Sequence, residues 1–304
     1  MRTETASAPL INYDSPRELR AFLDKNGLGM RKKYGQNFLI NPAARSKLLD
    51  ALELNKGDQV WEIGPGLGAM TWGLLERGAN VTAFEIDPAF SRTLKEIFCG
   101  PDTIPLGSSF RLVEGDVLKT WPSVEAGEEL FLLGNLPYTI AAVLLADFIE
   151  KRKFFSRMVV TVQREVALRM AAGPGSSDYS SFSVLCASAY KVSLLSVIKS
   201  SSFYPAPRVD SQGVRLDLLP VREQRSALFY ALVRGLFSGR RKTIRNTLSA
   251  FAASVIMKPD LSKKEIAEDA LKKAGVSGDR RPETLSIDEF NAIALALEEI
   301  VQNV

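Results

Sequence analysis

The chain has 304 residues, 46% of them hydrophobic, and a formal net charge of +4, an ordinary profile for a soluble globular protein of about two domains. It contains no histidine, which excludes Ser-His-Asp and Cys-His catalysis, His-ligated zinc and a histidine general base. Cys99 and Cys186 stand far apart and offer neither zinc spacing nor a disulfide framework, so the expectation is a cytoplasmic protein with no metal.

The first 25 residues lack an apolar signal core and carry Glu4, Asp14, Glu18 and Asp24, which argues against an acid-poor presequence. Residues 1–30 read as an appendage. Within it, Ser15-Pro16-Arg17-Glu18 opens a short helix, with Ser as cap and Pro in the first turn. Gly27 and Gly29 end it. A basic segment, Arg31 to Leu39, follows, and Asn41-Pro42 starts the next helix by the same logic.

From there strands and helices alternate. Strands are predicted at 59–64, 81–87, 110–116, 130–136 and 157–163. Helices are predicted at 67–77, 88–98 and 140–150. This alternation predicts a parallel sheet covered on both faces. The uncharged run from Leu130 to Ala146 is too short and too interrupted by Gly134, Asn135 and Pro137 to span a bilayer; strand, turn and helix explain it better. Two more strands fit 192–200 and 213–218. Beyond Pro220 the pattern becomes helical, at 226–237, 239–253, 263–274 and 287–301, with Leu228, Leu232 and Leu236 on one face. The expected domains are therefore 1–30, 31–220 and a small all-α domain at 221–304.

Gly64-Pro65-Gly66-Leu67-Gly68 sits at a strand-to-helix turn, where Gly64 and Gly66 let a ligand approach the backbone. Glu85, at the end of the next strand, suits a ribose diol. NAD and S-adenosylmethionine both need that acid, and the third glycine is one place early for the dinucleotide fingerprint. Asp116, followed by Val117, ends the third strand. It suits an adenine amino group and a helix cap equally well. Asn135-Leu136-Pro137-Tyr138 discriminates. This turn presents an amide oxygen, a backbone carbonyl and an aromatic face to one planar amine, and a dehydrogenase has no use for it. Phe203-Tyr204-Pro205-Ala206-Pro207 is a stiff loop that could hold an aromatic ring, although such loops are more often packed connections. Between Gln224 and Lys258 the chain carries basic residues and no acid. There Arg241 and Arg245 are placed one helical turn apart, with Arg240 and Lys242 beside them, as a phosphate platform.

Taken in order, "KKYGQNFL", "EIGPGLGAMT", "FEID", "GDVL", "GNLPY", "FYPAPRVDS", "SGRRKTIRN" and "RRPETLS" span positions 32 to 286. In these segments the chain resembles the KsgA-type rRNA adenine dimethyltransferases. The resemblance implies a Rossmann-like α/β methyltransferase sheet with S-adenosyl-L-methionine as methyl donor. It implies two adjacent adenines near the 3′ end of small-subunit (16S) rRNA as acceptors, dimethylated at N6 on assembling small ribosomal subunits. Carried over, cofactor contacts fall on Asn37, Leu39, Gly64, Gly66, Glu85, Asp116, Val117 and Asn135. The amine-binding turn falls on Asn135, Leu136, Pro137 and Tyr138, and a second stacking ring on Phe203. The basic platform of Arg240, Arg241, Lys242 and Arg245 is expected to contact the RNA. The long N-terminus and the Thr139-Ile140-Ala141 continuation depart from the family pattern. The rivals are a large-subunit rRNA adenine methyltransferase and a ribosome-assembly checkpoint factor. A NAD-dependent oxidoreductase is disfavoured. A monomer with no membrane partner is expected.

Overall fold

The computed structural model describes residues 11–30, 34–100, 108–125, 127, 130–137, 140–220, 225–239, 241–255 and 262–302. Tyr138 and Arg240, both singled out above, lie outside them. The elements begin with α1 (Pro16–Lys25), β1 (Phe38–Leu39), α2 (Pro42–Asp50), β2 (Gln59–Ile63), α3 (Ala69–Glu76), β3 (Asn80–Glu85) and α4 (Pro88–Phe98). They continue with β4 (Ser109–Glu114), α5 (Val117–Thr120), β5 (Leu130–Asn135), α6 (Ala141–Glu150), β6 (Arg157–Gln163), α7 (Arg164–Ala171) and α8 (Ser181–Ala189). The last are β7 (Tyr190–Ile198), β8 (Phe203–Tyr204), β9 (Ser211–Leu218), α9 (Ala227–Phe237), α10 (Ile244–Val255), α11 (Lys263–Ala274) and α12 (Ile287–Gln302). No helix among the described residues is long and apolar enough to cross a membrane.

The chain divides into two compact units. The first runs up to Asp147 and adds Lys153–Ala167 and Val192–Leu218. Its seven-stranded sheet has the order β4-β3-β2-β5-β6-β9-β7. The pairs from β4 to β6 are parallel, as the alternating pattern requires. β9 departs from an all-parallel reading: it runs antiparallel to β6, with Arg157 opposite Asp217. The chain leaves β2 in one direction through β3 and β4, then returns to lay β5 on the other side of β2, with Ile63 opposite Gly134. In α/β sheets that reversal opens a crevice at the strands' carboxyl ends, here at Gly64 and Asn135.

The central strands are buried on both faces and read as apolar runs, such as Leu130-Phe131-Leu132-Leu133. On one face Trp61 packs against Phe84 and Phe155 at centroid distances of 4.9 and 5.7 Å. The other face carries a cluster that includes Leu74, Leu75, Phe90 and Leu94.

The described part of the N-terminal segment is not an appendage. Ser15 caps α1 by accepting the Glu18 N–H at 3.3 Å. Leu19 and Leu23, one turn apart, face inward. With Ile11, Tyr13 and Leu28 they join the same core cluster as Leu67 and Phe90.

The second unit comprises Phe148–Arg152, Leu168–Lys191 and the chain from Leu219 on. Besides the C-terminal helices expected beyond Pro220, it takes in α8 and the end of α7. Phe237 stacks on Phe290 at 5.9 Å, and the Tyr179 hydroxyl donates to the Leu285 carbonyl at 3.0 Å. The helix expected from Gly239 starts only at Ile244. The Lys242 N–H closes a turn onto the Gly239 carbonyl at 2.7 Å. The amides of Ile244 and Arg245 then donate to Arg280 and Gly278 at 2.8 and 2.9 Å. Those orphan first-turn donors are thus satisfied from outside the helix, which fixes its start.

Candidate active site

The crevice is walled first by the glycine-rich turn. Gly64, Gly66 and Gly68 all have positive φ, at 69°, 60° and 90°. Gly68 is glycine for a second reason: a Cβ there would lie 2.4 Å from the Phe98 ring. A Cβ on Gly64 would meet no atom within 4 Å, so the backbone there borders open space.

Glu85, at the end of β3, turns its carboxylate into the crevice and is only 4% exposed. It accepts the Asp87 N–H at 2.8 Å and the Gly66 N–H at 3.3 Å. Burial outweighs these bonds and pushes its pKa up to about 7. Glu62, on β2, is 2% exposed and accepts the Thr71 hydroxyl at 2.6 Å. Burial, with a smaller contribution from neighbouring Glu85, raises its pKa to about 8. The sequence reading missed Glu62. Its signal was an acid two residues before Gly64, inside an otherwise apolar strand.

The opposite wall is the turn after β5. Asn135 lines the crevice, and its side-chain Nδ2 donates to the Asn37 carbonyl at 2.8 Å. That bond decides which end of the amide is the donor and leaves Oδ1 as an acceptor for a ligand. The Leu136 N–H donates to the Thr161 carbonyl at 3.1 Å, which anchors the turn to β6. The Leu136 side chain is buried over Gly134, where a Cβ would come within 2.6 Å of it. Pro137 lines the crevice and lies against Gly35.

Residues Tyr34 to Leu39 roof the crevice and touch both walls. The Gln36 Nε2 donates to Asp87 at 3.1 Å on one side, while Asn37 holds Asn135 on the other. The cavity beneath it is about 90 Å³ and opens to solvent.

Asn37, Leu39, Gly64, Gly66, Glu85, Asn135 and Pro137 thus converge. Asp116 and Val117 do not line the cavity. Asp116 caps α5 by accepting the Leu118 N–H at 3.1 Å, and Val117 is buried. Both alternatives for Asp116 remain compatible, because capping uses one carboxylate oxygen. Phe203 is corrected: it is not presented to the crevice. Antiparallel pairing sets it opposite Leu39, and both are buried in the core cluster. Phe203→Leu is expected to cost about 1 kcal/mol, read as a lower urea midpoint. The basic segment is corrected as well. Arg241 and Lys242 are exposed in the turn before α10, not on a helix face with Arg245. Arg245 is already engaged by Glu268 and Asp279, at 3.2 and 3.3 Å. Ile86, which sequence reasoning also missed, lines the crevice as an apolar side chain 42% exposed.

A family model described as "Ribosomal RNA adenine dimethylase" matches residues 27–293. The chain belongs to the ribosomal RNA adenine dimethylase family. It is similar to "Ribosomal RNA small subunit methyltransferase A" of Treponema denticola, with 42% identity over 95% of this chain and 96% of that one. The protein of the same name from Borrelia garinii is 37% identical over 93% and 94%. Among solved structures, a dimethyladenosine transferase from Plasmodium falciparum gives a TM-score of 0.73 at 26% identity, covering 85% of this chain and 96% of that one. The 23S rRNA methyltransferase ErmE shares the fold, with a TM-score of 0.60 at 22% identity over 86% and 99%. Family membership makes S-adenosylmethionine the methyl donor. The crevice fits that group: buried carboxylates for hydroxyl and ammonium donors, open space beside Gly64, and the apolar Ile86.

Proposed function

We propose that this chain dimethylates N6 of two adjacent adenines near the 3′ end of small-subunit rRNA, as a cytoplasmic monomer acting on assembling small ribosomal subunits. The observation that carries this reading is the held amide of Asn135. An exocyclic adenine amine is a weak nucleophile because its lone pair is drawn into the ring. Acceptors at its N–H bonds localise that lone pair. Asn135 Oδ1 and the Leu136 carbonyl are the two acceptors offered, on a turn stiffened by Pro137. Bound S-adenosylmethionine supplies a methyl group on a sulfonium, which leaves without an acid. The chain therefore needs no proton donor, consistent with its lack of histidine. Glu85 serves the ribose hydroxyls, and Tyr138 supplies the aromatic face for a base withdrawn from its stack. Asp116 and Val117 serve the adenine of the donor.

Arg240, Arg241 and Lys242 contact phosphates without reading bases. Replacing Arg241 and Lys242 together by Ala is expected to reduce the salt slope of RNA binding by up to about 1.4, roughly 0.7 per lost contact. Filter binding across a salt series measures it, and an unchanged slope removes them from the interface.

The decisive test is methyl transfer from labelled S-adenosylmethionine to undermethylated small subunits, with large subunits and free rRNA in parallel. Label on small subunits, mapped to N6-dimethyladenine, is expected. Label on large-subunit RNA alone would overturn the substrate and keep the chemistry.

A further inference from the structure

The family match begins at residue 27, yet the chain's earlier residues reach the crevice. Tyr13 lines it together with Leu19, and is itself only 7% exposed. Its hydroxyl donates to the carbonyl of Leu67, inside the glycine-rich turn, at 2.9 Å. Burial beside Glu62 pushes the Tyr13 pKa up, so the hydroxyl stays a protonated donor. The next residue, Asp14, forms an ion pair with Arg45. Arg45 Nη1 in turn donates to the carbonyl of Leu39, on β1, at 2.7 Å. Two adjacent residues therefore hold two different walls: the glycine-rich turn through Tyr13, and the Tyr34–Leu39 roof through Asp14 and Arg45. The buried side chains of Ile11, Leu19 and Leu23 fasten this segment to the core.

We infer that the Ile11–Asp14 segment is a clamp on the cofactor crevice, with Tyr13 as a positioning residue for the glycine-rich turn and Asp14, through Arg45, for the roof. The inference rests on the reading that this crevice holds S-adenosylmethionine. Tyr13 has no part in the chemistry, so its contribution is to affinity. The N–H groups of Gly64, Gly66 and Gly68 are held by Phe84, Glu85 and Pro65; the Tyr13 bond adds a hold on a carbonyl of the turn, in a place where a ligand needs the backbone still.

The test is calorimetric titration of the full chain with S-adenosylhomocysteine, beside steady-state methyl transfer. Tyr13→Phe keeps the ring and removes one buried hydrogen bond. It is expected to weaken binding and raise KM for S-adenosylmethionine by roughly fivefold, with kcat at saturation and KM for RNA unchanged. Asp14→Asn is expected to act in the same direction by about twofold, and it serves as the readout if Tyr13→Phe does not fold. Leu23→Ala is the control: it removes a core contact of the same segment away from the crevice. It is expected to lower Tm while leaving the dissociation constant unchanged at temperatures where the protein is folded. Unchanged affinity in both Tyr13→Phe and Asp14→Asn overturns the clamp, as does a loss in Leu23→Ala equal to that in Tyr13→Phe. Failure of the unaltered chain to bind S-adenosylhomocysteine is a different result: it removes the cofactor reading, and the clamp with it.

Discussion

Asn135→Ala lowers kcat for methyl transfer by roughly 10²–10³-fold and leaves binding of the ribosomal particle intact. That magnitude is typical for one preorganised polar group acting on the reacting centre. Single-turnover transfer measures the loss, and filter binding measures the retained affinity. Asn135→Asp makes the sharper comparison. It keeps an oxygen acceptor but cannot donate to the Asn37 carbonyl, and it sets a carboxylate where the native Nδ2 lies 2.8 Å from that oxygen. If orientation by Asn37 matters, Asp is as inactive as Ala. An Asp variant with near-native kcat would show that the acceptor alone suffices. Equal loss of transfer and particle binding in Asn135→Ala would sink the assigned role.

The second large effect is a pH dependence centred on Glu85. In the ligand-free protein its pKa stands near 7, against 4.5 ordinarily, because burial outweighs the bonds from Asp87 and Gly66. A carboxyl group whose folded pKa is raised stabilises the fold fully below about pH 4.5, and that contribution is lost as pH rises through 7. The difference is on the order of 3 kcal/mol. Glu62 adds a loss of the same sign as pH rises through about 8. Ribose hydroxyls, by contrast, donate to the ionised form. Affinity for S-adenosylhomocysteine is therefore expected to rise with pH by up to about tenfold per unit below pH 7, and to flatten above 8. Binding near neutrality should release protons, seen as a heat that depends on the buffer. Glu85→Gln is expected to weaken binding by roughly tenfold or more, since a hydrogen bond to a charged group contributes about 1.5–3 kcal/mol. It should also flatten the pH profile and make the ligand-free protein more stable at pH 8. A Gln variant with the full pH slope would move the titration to Glu62.

Much of this site could be read in the residues because its parts are local. The glycine-rich turn, Glu85 and Asn135-Leu136-Pro137 each sit within a few residues of a strand end, and strand alternation brings strand ends together. What could not be read was long-range. Leu19 and Leu23 announce an inward face on α1, but nothing in their spacing says that the face joins the core cluster of Leu67 and Phe90. Glu62 looked like one more residue of a strand until burial and Thr71 gave it a role. α8 escaped notice because Phe182, Ser183, Val184, Leu185 and Cys186 are all buried. A helix sunk on every side has no apolar stripe to betray its period. Arg241 and Arg245 have helical spacing, but the helix start was set by carbonyls of Gly278 and Arg280, over 30 residues away.

The short ladder of β1 and β8 ties two distant parts of the chain together. It pairs Phe38 with Tyr204 and Leu39 with Phe203, and the Ile40 N–H donates to the Ser202 carbonyl at 2.9 Å. One strand of the ladder continues the roof of the cofactor crevice. The other opens the proline-rich loop beyond Tyr204. The two cannot shift separately without breaking main-chain bonds. A displacement at the roof is thus felt at the loop, and thermodynamic reciprocity makes the influence equal in both directions.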